Sequence, residues 1–163
     1  MILLLALLSP ASVPSIQNTA APLPALQKLA VAPVSSAPAV LASAAHTPHP
    51  GLFPVIRRLA RHPDASVRAA AFRALGTMGV SEDPEELPKT LRTLAQGVHD
   101  DDSAAGIAAV EALRRFPFVR ARQALEMCKK SCAPDVAAHA RSLRPLTQKE
   151  AQARFQDYWR AQN

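Results

Sequence analysis

Few residues in this chain have types and spacing that could do chemistry. Cys128 and Cys132 stand four apart in "CKKSC", Asp100, Asp101 and Asp102 form a run, and "HTPHP" carries His46 and His49. On a continuous helix the cysteine spacing lies near the limit of disulfide geometry, so a bridge requires the helix to end between them. Both fall on the apolar stripe Phe118, Ala121, Leu125, Cys128, Cys132. They therefore read first as buried free thiols, with a small staple in an exported protein as the alternative. The aspartate run has neither the spacing nor the glycine of a calcium loop, and helix capping accounts for it more simply. The two histidines have no third ligand, so no metal is expected there. His99 and His139 have no neighbouring nucleophile. No phosphate-binding glycine loop, Gly-x-Ser-x-Gly elbow, zinc-protease pair or Cys-x-x-Cys occurs. The chain reads as a non-enzyme with no cofactor.

Charge leaves binding open. The formal net charge is +6, and Arg57, Arg58 and Arg61 cluster in "IRRLAR". Basic residues that bind single-stranded nucleic acid are commonly interleaved with aromatics. Here the only tyrosine and the only tryptophan stand at the far end, in "RFQDYWRAQ". The arginine cluster is expected to be a solvated outer face, and the reading is against nucleic acid. Phe155, Tyr158 and Trp159 share one side of a last helix. Covering the exposed end of the fold is their first reading. Partner contact through Tyr158 and Trp159 is the second, since these types are favoured at binding hot spots.

Composition divides the chain. The first fifty residues hold eight of the fifteen prolines and a single charged side chain, Lys28. "MILLLALL" is shorter than the roughly 20 apolar residues that span a bilayer, so no stable membrane span is expected. It has the length of a signal-peptide core and lacks a preceding basic residue; residues 1–20 are read as a signal-like segment, favouring export over a cytoplasmic location. Residues 21–50, rich in Pro, Ala and Ser, are expected to form a disordered linker, with at most a short helical patch around "LPALQKLAV". Residues 51–146 read as helical repeats and 147–163 as a C-terminal helix.

Beyond residue 50 nothing reads as strand. Leu52, Val55, Ile56 and Leu59 recur at helical spacing and stop near His62–Pro63. Asp64 is placed to cap the next helix, and Gly79 lies near its end. Asp83–Pro84 with Glu86 is a strong helix start, followed by Leu87, Leu91, Leu94 and Val98. One of the three aspartates should cap the following helix and the other two should favour its positive end. Pro117 ends that helix, two more run from about Phe118 and Pro134, and Thr147 with Glu150 forms a capping box. A slide of 38 residues superposes Asp64 on Asp102, Ala71 on Ala109, Ala74 on Ala112 and Leu75 on Leu113. A looser third copy begins at Asp135. Antiparallel helix pairs at such a period indicate an α-solenoid.

"DASVRAAAFRALGTMG" resembles the second helix of a HEAT repeat: an acidic turn residue, Val-Arg, small residues, then Ala-Leu-Gly. The resemblance extends over about residues 52–146. It implies an all-α, short solenoid of about three antiparallel helix pairs with a C-terminal capping helix behind a disordered N-terminal arm. It further implies that Asp64 and Arg68 are structural, pairing between neighbouring layers. The second copy has Gly106 at the arginine position and the third has Ala137.

On a helical wheel the Val67–Ala71–Ala74–Met78 stripe should face its own partner helix, and Arg68, Phe72, Leu75 and Gly76 the next layer. Ser66, Arg73 and Thr77 are left for solvent, matched by Glu111, Arg114 and Arg115 in the second copy. Such a face is expected to contact another protein, so the function implied is a non-catalytic interaction module or scaffold. A nucleic-acid-binding solenoid is the alternative, which Glu111 interrupts, and a bilin-lyase-like enzyme or accessory subunit is a lesser one.

Overall fold

The computed structural model describes residues 36–45, 51–79 and 85–144, with 146–147, 149–150, 152–153 and 156 beyond them. Among these the named elements are all helices: α1 (Ala37–Ala45), α2 (Leu52–Leu59), α3 (Ala65–Met78), α4 (Glu86–Gly97), α5 (Ser103–Arg114), α6 (Val119–Ser131) and α7 (Pro134–Ser142). They form two layers. One is α2, α4 and α6; the other is α1, α3, α5 and α7, and each of α3, α5 and α7 also packs on the helix before it. The fold is all-α and solenoid-like.

The helix ends form as the side chains dictate. The Asp64 carboxylate accepts from the amides of Ser66 at 2.8 Å and Val67 at 3.4 Å. The Ser66 hydroxyl and amide hold that carboxyl below its ordinary value. Asp102 does the same for α5, accepting from the Ala105 amide at 2.9 Å, so the superposed pair are equivalent caps. At its other end α3 stops at Gly79, whose φ of 71° few other residues tolerate. Thr147 and Glu150 form the reciprocal capping box: the Thr147 amide donates to the Glu150 carboxylate at 2.8 Å, and the Glu150 amide donates to the Thr147 hydroxyl at 3.3 Å. The Thr147 amide and hydroxyl, both donating to the carboxylate, hold the Glu150 carboxyl down at about 2 together with the Arg144 guanidinium. Residues 80–84, with the expected Asp83 cap, lie outside the described residues, as do the N-terminal apolar run and the helical patch around "LPALQKLAV".

The wheel assignment of α3 holds where it concerns solvent. Ser66, Arg73 and Thr77 are its exposed residues, confined to about 40° of the wheel at ~100° per residue. Everything else is buried or half-buried. Gly76 faces α5 so closely that a Cβ there would sit 2.8 Å from both Cα and Cβ of Ala112. Phe72 packs in the same direction, its ring against Gly97 and beside Ala109. Gly106 explains why the second copy lacks the arginine: an added Cβ would meet Val136 of α7 at 2.9 Å, leaving no room for any side chain.

Two expectations need correction. The first is the linker: within residues 21–50, Ala37–Ala45 forms a helix, and it packs on α3. Leu41 is fully buried, with Ala37, Ala44 and Ala45 beside it. Its sequence is too small and uncharged to show an amphipathic pattern; what stabilises it is the alanine face that α3 presents at Ala70 and Ala74. The helix α3 is therefore packed on three sides, and the ordered domain begins before residue 51. The second is the thiol pair, for Cys128 and Cys132 are joined in a disulfide with Cα atoms 4.8 Å apart. The helix α6 ends at Ser131 and Cys132 is extended, so the chain turns between the two sulfurs as a bridge requires.

Two outcomes test this packing. Alanine normally stabilises a helix relative to glycine by about 1 kcal/mol. Gly76→Ala should instead cost about 1–3 kcal/mol in urea unfolding, because its methyl group overlaps α5, while Arg73→Ala stays within about 0.5 kcal/mol. Leu41→Ala should cost about 2–5 kcal/mol, the range for emptying a core site, where a passive linker would show almost no change.

Candidate functional site

A groove of about 310 Å³ runs over α1, α3 and α5. Its floor is small and apolar: Ala42 and Ala45 from α1, Ala70 and Ala74 from α3, Ala108 and Ala112 from α5. Arg73, Thr77, Glu111 and Arg115 line it as the polar groups. The helical period produces this division. Alanines on each helix let neighbouring backbones approach, and the next residues round the wheel carry the long side chains that rise beside the floor.

Of the residues expected at the exposed face, the structure brings Arg73, Glu111 and Arg115 together on this groove. Arg115 also reaches the Thr77 hydroxyl at 3.4 Å, linking α5 to α3. Glu111 is half-exposed and its carboxylate lies 2.8 Å from Nε2 of His139 on α7. Arg114 does not belong with them. One residue further back along the helix, it turns about 100° away and lines a separate cavity beside α6 and α7. Tyr158 and Trp159 lie outside the described residues. Sequence reasoning missed the contribution of Pro38, Ala42 and Ala45. The available signal was Pro38 near the start of a run of small and apolar residues broken by Ser43 alone, where proline suits the first turn of a helix.

Two ion pairs hold the first helix pair to the second. Arg68 donates to Asp100 through Nε at 2.8 Å and through Nη2 at 2.7 Å. Its Nη1 donates to the carbonyls of His62 at 2.9 Å and Pro63 at 2.8 Å. The partner of Arg68 in the next helix pair is thus Asp100, two residues before the cap, while Asp64 serves its own helix. Asp100 also accepts from the Asp102 amide at 2.9 Å, so it orders the turn before α5 and does more than favour the helix dipole. The guanidinium of Arg68 is the largest cause lowering the Asp100 carboxyl below its ordinary value, and the same bond raises Arg68. A second link joins α2 to α4, where Arg57 pairs with the buried Glu86. Arg57 is therefore part of the packing, whereas Arg58 and Arg61 are exposed as expected of a solvated face. His99 Nδ1 lies 3.7 Å from the Cys132 sulfur, a neighbour that its sequence context did not suggest.

Residues 52–80, which contain α2 and α3, match the family model of the HEAT repeat. No curated protein and no solved structure matches the chain. The similarity to a HEAT repeat thus lies at the first full helix pair. The pairs α4–α5 and α6–α7 continue the same two-layer packing.

Because the Asp100 carboxyl titrates lower in the folded protein than in the unfolded chain, its stabilisation is present above the ordinary carboxylate value and is lost as pH falls through the lowered one. Asp100→Asn should cost about 1–3 kcal/mol at neutral pH, the range for hydrogen bonds to charged groups. The gap between variant and wild type should then close below roughly pH 4 in parallel thermal melts.

Proposed function

We propose that this chain is a non-catalytic protein-binding module, which receives its partner in the groove over α1, α3 and α5. One observation carries the reading: an alanine floor bordered by Arg73, Arg115 and Glu111 spans three successive helices of one layer. A shallow apolar floor lets an extended segment or a helix approach closely, and mixed charges beside it select among partners and orient the encounter. The carboxylate of Glu111 weighs against a polyanion, because it stands among the cations that a phosphate backbone would need. Arg57 and Arg68 are committed to ion pairs, which leaves fewer cations for such a backbone. HEAT repeats commonly mediate protein interactions, and the match at residues 52–80 supports the same class. No helix among the described residues is long and apolar enough to cross a membrane.

We place the protein in an exported compartment. The Cys128–Cys132 bridge supports this, since disulfides persist where the surroundings are oxidising. The signal-like apolar run at residues 1–20 supports it independently.

A peptide array probed with the full chain at physiological salt tests the binding reading. Arg73→Glu with Arg115→Glu should lower retention on the captured peptides about tenfold or more, which corresponds to about 1.4 kcal/mol. Arg114→Glu, whose side chain lines the other cavity, should leave retention unchanged. Binding of mixed-sequence DNA tighter than about 1 μM at that salt would replace the protein-binding reading with a nucleic-acid one.

A further inference from the structure

The bridge between Cys128 and Cys132 joins residues only four apart, at the end of α6. Closing so short a loop removes little entropy from the unfolded chain, so the bridge adds little to the stability of the fold. The turn it spans is held in any case by hydrogen bonds. The Cys132 amide donates to the Cys128 carbonyl at 3.0 Å, the Ser131 hydroxyl to the Met127 carbonyl at 2.9 Å, and Arg141 to the Lys129 carbonyl at 2.7 Å. Carbonyls of the last turn of α6 are thereby satisfied without the sulfurs.

The two sulfurs have different surroundings. Cys128 is fully buried, whereas Cys132 is half-buried and open to solvent. His99, just past the end of α4, places Nδ1 3.7 Å from the Cys132 sulfur. The His99 amide donates to the Gln96 carbonyl at 3.1 Å, which fixes the backbone that carries the imidazole. Lys129 and Lys130 lie between the cysteines; Lys129 pairs with Glu126 at 2.6 Å and Lys130 is exposed. Imidazole and ammonium groups near a sulfur favour its thiolate, the form that reacts. An accessible sulfur beside an imidazole, bonded to a sheltered partner sulfur, is suited to exchange more than to bracing a turn.

We propose that Cys128–Cys132 is a redox-reversible site that exchanges with a dithiol. A thiolate of the dithiol attacks the Cys132 sulfur, forming a mixed disulfide; the bond to Cys128 breaks, and Cys128 leaves with the electron pair and takes up a proton. The second thiolate of the dithiol then attacks its own sulfur in the mixed disulfide. That closes the reagent's disulfide and releases Cys132 as a thiolate, which the His99 imidazole stabilises through a proton on Nδ1. Two electrons and two protons pass from the dithiol to the chain, and a disulfide reagent reverses the sequence. The site lies on α6 and the turns after α4 and α6, away from the groove over α1, α3 and α5, so it is independent of the binding reading.

Trypsin cuts after Lys129 and Lys130, so the two cysteines fall on separate peptides. Full-length protein purified in air should yield those peptides joined. Millimolar dithiothreitol without denaturant should separate them, while far-UV helicity and the melting temperature stay nearly unchanged. Oxidised glutathione added to the reduced chain should join them again. With the reductant removed, limiting iodoacetamide at neutral pH should label Cys132 at least about tenfold more than Cys128. His99→Ala, at an exposed position, should slow the labelling of Cys132 about threefold or more with helicity intact. Two free thiols in the protein purified in air would overturn the site. A bridge that opens only in urea, or equal labelling of the two cysteines, would overturn it as well and return the pair to a structural role. An unchanged labelling rate in His99→Ala would overturn the part assigned to the imidazole.

Discussion

The structure depends on how closely α3 and α5 approach. With no side chain at Gly76 and only a methyl group at Ala112, the two backbones come near enough that one added carbon would overlap. That distance sets the spacing of the layer. Once it is set, Phe72 can reach from α3 to lie against Gly97 of α4, which carries no side chain for the same reason. Dispersion and hydrophobic burial then act over many short contacts instead of a few large side chains. The alanine-rich composition of both helices follows from this requirement. It also accounts for the groove, because small residues on adjoining helices leave a low floor between the longer side chains of the next turn.

Ion pairs lock successive helix pairs that such packing would otherwise let slide. Arg68 spans from the start of α3 to the turn before α5, and Arg57 spans from α2 to α4. Both join the first helix pair to the second, and both are largely withdrawn from water. Arg68 also satisfies the carbonyls of His62 and Pro63, which a turn would otherwise leave to solvent. The next junction is made differently. Gly106 admits Val136 in place of an arginine, and Glu111 meets His139 across α5 and α7. One repeat architecture thus uses an arginine–aspartate link at the first interface and a glycine–valine contact at the same position of the second, which is why only part of the arginine pattern recurs along the chain.

The sequence by itself determined the helices and much of their orientation. Apolar spacing, the caps at Asp64 and Asp102, the box at Thr147 and Glu150, and the solvent face Ser66–Arg73–Thr77 all rest on interactions within one helix or its ends. Local periodicity is sufficient for those. The tertiary structure decided what depends on a neighbour. A run such as Ala37–Ala45 has no pattern of its own and becomes a helix against the face of α3, so composition alone placed it in a linker. Asp100 was legible as a carboxylate before a helix, but its pairing with Arg68 requires the layer spacing. Arg114 and Arg115 are adjacent in sequence and look like one patch, yet the helix turn sends them to different cavities. Cys128 and Cys132 share an apolar stripe in either redox state, and only the end of α6 between them brings the sulfurs together. Contacts between elements depend on how the elements are set in space, and that information is carried by the whole chain.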